Sequence, residues 1–303
     1  MLVAGFPAGA FAANCYVVAP APGEQCVIID PGQDAERGID ELLAEHRLRP
    51  AAVLLTHGHI DHVWSVAPVC GAKGIPAYIH PDDRALLSDP AKGFPLAVRQ
   101  QLFGGLEFTE PDDVKELADG ITLSLVGLEI VVNHAPGHTE GSVTFRLPLD
   151  PPVTAHGKSK IGAPETAGRE TAGGAPRMEN PGHGGGAAPM GAPGPAGDGG
   201  ILFSGDLLFA GSIGRTDLPG GDYPTILRSL ARVCLTLPDE TLVLSGHGPQ
   251  TTIGTERRTN PFLSGLEPTN PANPANPANP ANPANQANPA NPAAPASGPA
   301  RGM

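Results

Sequence analysis

Residues 56–62 read Thr-His-Gly-His-Ile-Asp-His and follow directly on the apolar run Ala51–Leu55. Three imidazoles and a carboxylate therefore fall between His57 and His62. That is more ligating capacity than one tetrahedral ion accommodates, so the segment points to a site for two ions. Without metal the crowding is costly. Neighbouring imidazoles repel one another on protonation, and a carboxylate that faces the interior needs a partner.

The rest of the chain limits how much fold can be built around this segment. Of 303 residues, 40 are glycine and 36 proline, and they are unevenly spread. From Pro151 to Gly200 the sequence is Gly, Pro, Ala and scattered charges, and from Pro268 it is dominated by the repeat Asn-Pro-Ala. Neither stretch carries enough apolar area to offset its ordering entropy. Both are expected to be disordered. One domain over 1–266 is expected, interrupted by an insert at about 151–200 and followed by a repeat tail at 267–303. The lone His156 and His183 of the insert are expected to be solvated. An inserted loop of this length is tolerable, because closure entropy grows only slowly with length.

The formal net charge of -12 opposes binding to the phosphate backbone of nucleic acid. Cys15, Cys26, Cys70 and Cys234 are widely spaced with no Cys-x-x-Cys pair, which reads as ordinary buried thiols in a reducing, cytoplasmic setting. The apolar N-terminus lacks a positively charged leader and is interrupted by Pro7 and Gly9, so it reads as a strand and turn of the fold. No run is long and apolar enough to span a bilayer.

Periodicity suggests strands at CYVVAP, CVIID, AAVLLTH, IPAYIH, GITLSL, LEIVVNH, SVTFRL, ILFSGD and TLVLSG. Helices are expected over Ile39–His46, from about Asp61 through HIDHVWSVAPVCGAKG, and over Tyr223–Leu237. The acidic stretch Glu107–Leu117 shows no element. Strands recur in both halves with helices between them, an order that fits a pair of sheets flanked by helices.

Every strong polar signal falls at a strand end. His57, His59, Asp61 and His62 follow the strand at 51–56, His134 and His138 follow LEIVV, Asp206 follows ILFSG, and His247 follows TLVLSG. Glycine beside each of these ends lets the backbone turn sharply and the short side chains converge. Together THGHIDH, APGHT, FSGD and SGHG resemble the metallo-β-lactamase fold hydrolases, and most closely the small single-domain members of the glyoxalase II-like branch. ANCYVV, IDPG and GSIGRTDLPGGD add to the likeness.

The resemblance implies an α/β fold, an αββα sandwich of two mixed sheets with metals at one edge. It implies that His57, His59 and His138 hold one ion, that Asp61, His62 and His247 hold a second, and that Asp206 bridges them. Imidazole and carboxylate ligands without thiolate suit zinc and tolerate iron or manganese. The implied chemistry is hydrolysis of a small acyl-thiol: two divalent ions activate a shared water, Asp61 orients it, and it attacks the thioester carbonyl. Arg215 is a candidate substrate contact, with a pair to Asp217 as the alternative, and Arg257 and Arg258 are weaker candidates. His134 and His80 are expected to be structural. Asp30 either orients a ligand histidine or caps a turn.

The chain departs from full-length glyoxalase II enzymes, whose extra C-terminal helical domain grips glutathione; here the Asn-Pro-Ala tail takes its place. A persulfide dioxygenase of the same fold, with one iron on His57, His138 and Asp206, is the alternative. An interaction protein acting through its tail is a more distant one. A β-lactamase is not expected without a secretory signal, nor a nuclease with this charge.

Overall fold

The central strands at Ala13–Ala19, Gln25–Ile29, Ile201–Gly205 and Leu242–Ser245 are buried on both faces, and the alternate side chains of each strand join different clusters, which fixes the layers. The computed structural model describes residues 1–96, 107–148 and 199–269. The first sheet contains β1 (Leu2–Ala8), β2 (Ala13–Ala19), β3 (Gln25–Ile29), β4 (Arg49–Leu54), β5 (Ala77–Ile79) and β6 (Val114–Glu116), side by side in chain order. β1 to β3 pair antiparallel, and β3 to β6 pair parallel. The parallel steps require crossovers, which helices supply. These are α1 (Glu36–His46) between β3 and β4, then α2 (Ile60–Val63) and α3 (Val66–Lys73) between β4 and β5, with α4 (Pro81–Arg84) following β5.

The second sheet holds β7 (Thr122–Leu125), β8 (Leu128–His134), β9 (Val143–Leu147) and β10 (Ile201–Gly205). A two-stranded ribbon, β11 (Leu208–Phe209) and β12 (Ser212–Ile213), leads to α5 (Tyr223–Ser229). The sheet closes with β13 (Leu242–Ser245) and β14 (Thr251–Thr252), and α6 (Ile253–Thr259) follows. The spatial order is β14-β13-β10-β9-β8-β7, antiparallel throughout except for the parallel pair β10 and β13. Leu147 lies opposite Ile201, so the insert connects neighbouring antiparallel strands. The insert itself and the repeat tail lie, apart from their edges, outside the described residues, as do His156 and His183.

Side chains two apart share a face of a strand. Tyr16, Val18, Val27, Ile29, Ala52 and Leu54 of the first sheet meet Ile130, Val132, Phe145, Ile201, Phe203 and Leu244 of the second in one buried cluster. Their sequence neighbours Cys15, Val17, Cys26, Ile28, Val53 and Leu55 face the other way, against Ile39, Leu42, Val66 and Val69 of α1 and α3. Leu202 and Val243 likewise face Ile226, Leu227 and Ile253. The result is helix, sheet, sheet, helix. All four cysteines are buried and unpaired, and no helix among the described residues is long and apolar enough to cross a membrane.

Three local readings need correction. The single helix expected from Asp61 is two helices, broken at Trp64–Ser65. The Ser65 amide donates to the Pro31 carbonyl (3.0 Å), and the restart places Pro68 in a first turn, where its missing N–H costs nothing. The helix expected over 223–237 is α5, which passes into a π-helical turn at Leu230–Cys234. The acidic stretch 107–117 contains the strand β6, whose Val-Lys-Glu sequence suits a short, exposed sheet edge.

Candidate metal centre

The site is assembled from loops at strand ends of both sheets. β4 runs into the loop carrying His57 and His59, and α2 begins there, so Asp61 and His62 lie in its first turn. The β8–β9 loop supplies His138, the end of β10 supplies Asp206, and the end of β13 supplies His247. Ring or carboxylate atoms come within 4.8 Å of one another in three overlapping groups: His57, His59 and His138; Asp61, His62 and His247; and His57, His62 and Asp206. Asp206 lies between the first two groups, with Oδ1 3.4 Å from His62 Nε2 and Oδ2 3.6 Å from His138 Nε2 and 3.7 Å from His247 Nε2. Close backbone approach makes this possible. A Cβ on Gly246 would lie 2.1 Å from Asp206 Oδ1, and Gly205 turns at φ +49.

Groups behind the site aim the rings. Asp30, at φ +50 after β3, accepts hydrogen bonds from the Thr56 amide (2.8 Å), the Thr56 hydroxyl (2.6 Å) and His62 Nδ1 (3.0 Å). His62 Nε2 is thereby turned into the site. Thr56 Oγ1 lies 3.1 Å from His57 Nδ1, and His138 Nδ1 donates to the Arg215 carbonyl (2.8 Å). The lone pair of His138 is therefore on Nε2, which faces His59 Nδ1 at 2.9 Å.

Four buried side-chain polar atoms among the described residues have no hydrogen-bond partner, and three belong here: His57 Nε2, His59 Nε2 and Asp206 Oδ1. Buried polar atoms are seldom left so. A donor set of imidazoles and carboxylates with such orphaned atoms fits divalent metal ions.

Electrostatically the cluster has two halves. Burial pushes His57 well down, His59 to about 3 and His138 to about 4, so these three rings are neutral. Burial also opposes charge on His62, yet Asp61, Asp206 and Asp30 raise it to about 10. His247 is raised by Asp206 and Asp61 against the same burial. Asp61 resists its own burial because His62 and His247 hold its carboxyl well below the ordinary range. A neutral triad thus adjoins an acid-rich half that attracts cations.

Asp30 both orients His62 and sits at a strained turn, so the two roles considered for it coexist. Arg215 lines the adjoining cleft, but its guanidinium donates to Asp217 at 2.8 and 2.7 Å. Arg257 and Arg258 pair with Asp239 and do not line the cleft. His80 and His134 stack face to face, centroids 4.0 Å apart and planes 5° from parallel. In-plane lone pairs of such rings do not converge on one ion, despite the nearby Asp82.

Sequence reasoning missed Asp83. Its buried carboxylate accepts from the Gly58 amide (2.8 Å), the Thr139 hydroxyl (2.7 Å) and the Gly141 amide (2.8 Å). It thereby ties the loop of His57 and His59 to the loop of His138. Nothing in His-Pro-Asp-Asp separates it from the exposed Asp82 beside it.

A family model described as the metallo-beta-lactamase superfamily matches residues 8–148 and 158–247. The chain belongs to this superfamily. A protein of Mycobacterium tuberculosis is 43% identical over 267 residues, 88% of this chain and 99% of its own length. The hydroxyacylglutathione hydrolase GloC of Haemophilus influenzae is 30% identical over 260 residues, 85% of this chain and 96% of its own. Among solved structures, the BLEG-1 B3 metallo-beta-lactamase is 34% identical with a TM-score of 0.63, covering 87% of this chain and 100% of that one. TTHA1623 in a di-iron-bound form is 37% identical with a TM-score of 0.58, covering 84% and 97%.

Proposed function

We propose that this protein is a metal-dependent hydrolase that cleaves small acyl-thiol esters at a dinuclear centre. The observation that carries the reading is the convergence of seven His and Asp side chains, three with orphaned buried atoms, of which His59, Asp61, His138, Asp206 and His247 line a cleft of about 580 Å³ with His57 and His62 buried behind them. His57, His59 and His138 would hold one ion, Asp61, His62 and His247 the other, with Asp206 shared. The superfamily and the named activity of GloC support hydrolysis of a thioester. Zinc is the proposed metal; the di-iron form of TTHA1623 makes iron the alternative.

When bound, the ions would activate a water and polarise an acyl carbonyl. The remaining work falls to the chain. Asp61, kept ionised by His62 and His247, lines the cleft and orients the attacking water through its carboxylate. Asp30 and the Arg215 carbonyl keep His62 and His138 in the required tautomer and direction. All four cysteines are buried and their pKa values are raised by burial, so a thiolate nucleophile is disfavoured.

Metal analysis of the purified protein, followed by acyl-thiols, a β-lactam and a persulfide as substrates, tests the reading. Two ions per chain and thioester cleavage under argon are expected. One iron per chain with substrate-dependent oxygen uptake, or turnover of the β-lactam alone, would overturn it.

A further inference from the structure

We infer that the cleft selects a thioester with an uncharged, apolar body and disfavours carriers bearing carboxylates. This rests on the hydrolase reading and concerns the walls of the same site.

The floor is polar and the walls are not. Phe94 lies beside His59, ring centroids 6.5 Å apart, and Phe209 lies beside His247 at 6.2 Å. An aromatic wall therefore flanks each half of the cluster. Ile213, Leu218 and Pro249 continue the lining, and Phe11 reaches it from the turn between β1 and β2. Phe94 and Phe209 are half-buried and Phe11 is 48% exposed. Phe11 is one of three large apolar side chains exposed among the described residues, and a second, Leu96, follows Phe94 closely in sequence. Of these exposed side chains Phe11 lines the cleft, which gives it an apolar residue at the solvent side, as at sites that bind apolar ligands.

The same walls offer little to an anion. Among the described residues no lysine lines the cleft, and Arg215 is the one arginine that does. Both of its side-chain hydrogen bonds go to Asp217, so its charge is already countered. A carboxylate on the substrate arm would lose water without gaining an ionic partner. The formal charge of -12 opposes its approach as well. An alkyl chain suffers neither cost and covers the phenylalanine faces.

Four probes separate this inference from the hydrolase reading. Octanoyl thioesters of N-acetylcysteamine and of glutathione share an acyl chain and differ in carrier charge. The corresponding S-octyl thioethers cannot be cleaved and report binding alone by calorimetry on the metal-loaded full chain. The neutral thioether should bind at least about tenfold tighter than the glutathione thioether. Phe94→Ala and Phe209→Ala should each weaken it by roughly tenfold, and Phe94→Leu and Phe209→Leu by less. Equal or tighter binding of the glutathione thioether, or no loss in either alanine variant, overturns the inference. Tight binding of the neutral thioether without cleavage of its thioester leaves the inference standing and removes the hydrolase reading.

Discussion

Asp83→Asn tests whether the two ligand-bearing loops are positioned by one carboxylate. Oδ2 of Asp83 accepts from the Gly58 amide and the Thr139 hydroxyl, and Oδ1 accepts from the Gly141 amide. A carboxamide accepts on one of these atoms only. Its best orientation keeps Gly58 and Thr139 and turns the new NH2 toward the Gly141 N–H, leaving a buried donor unsatisfied. Such an orphan costs about 1–3 kcal/mol. Gly58 separates His57 from His59, and Gly141 follows His138 closely, so the cost falls on assembly of the neutral triad. If it is felt fully there, zinc affinity drops by about thirtyfold, the equivalent of roughly 2 kcal/mol. Competition against a calibrated chelator measures this, with urea melts of the metal-free protein alongside. Asp82→Asn, at the exposed neighbour, serves as the control and should bind zinc normally. Unchanged zinc affinity in Asp83→Asn refutes the argument, and lowered stability with normal zinc affinity would show a merely structural staple.

Asp61→Asn should reduce kcat by about a hundredfold or more while circular dichroism and the melting temperature stay near those of the parent; unaltered turnover would remove Asp61 from the reaction. Gly246→Ala should lower metal occupancy measured by elemental analysis, because its Cβ would stand 2.1 Å from Asp206 Oδ1. The metal-free protein should lose stability below about pH 6.5 toward pH 4. Burial holds His59 at about 3 and His138 at about 4, so the unfolded chain takes up those protons first, with a slope of about 1.4 kcal/mol per pH unit for each ring. His62 acts with the opposite sign: its contribution is complete below about pH 6.5 and is lost as pH rises through about 10. Urea melts across this range should therefore be most stable near pH 6.5, and a flat profile would contradict the burial argument.

The clustered His and Asp side chains were legible because most of them sit at strand ends beside glycine, a local pattern that survives without knowledge of pairing. The layers were legible because β2, β3 and β10 are largely apolar runs, which a strand covered on both faces requires, and their alternate side chains join different buried clusters. What escaped depends on contacts between distant segments. Asp83 acquires its role only when the loop at Gly58 and the loop at Thr139–Gly141 come together around it. The break at Ser65 depends on Pro31, across the sheet edge, taking the Ser65 amide. The strand β6 has too little apolar sequence to announce itself, and it exists because β5 offers an edge. The aromatic walls come from three remote segments, at Phe11, Phe94 and Phe209, none of which carries a motif.

The division of charge within the centre explains how one cleft can be polar at its floor and apolar at its walls. With the two proposed divalent ions bound, the carboxylates of Asp61 and Asp206 would leave the floor net positive. Charge developing on an attacked carbonyl would be met there, among His57, His59, Asp61, His62, His138, Asp206 and His247. Charge elsewhere on a substrate meets Phe94, Phe209 and an arginine already bound to Asp217. The chain therefore favours negative charge at the reacting atoms and disfavours it on the substrate body. Arg215 is the residue at which that balance is most open to change. Asp217→Asn removes the countercharge while leaving Arg215 and its carbonyl in place. It should shift preference toward the glutathione thioester through KM, with kcat little altered. A change in kcat alone would mean that Asp217 acts through the ligand loop and not through substrate charge.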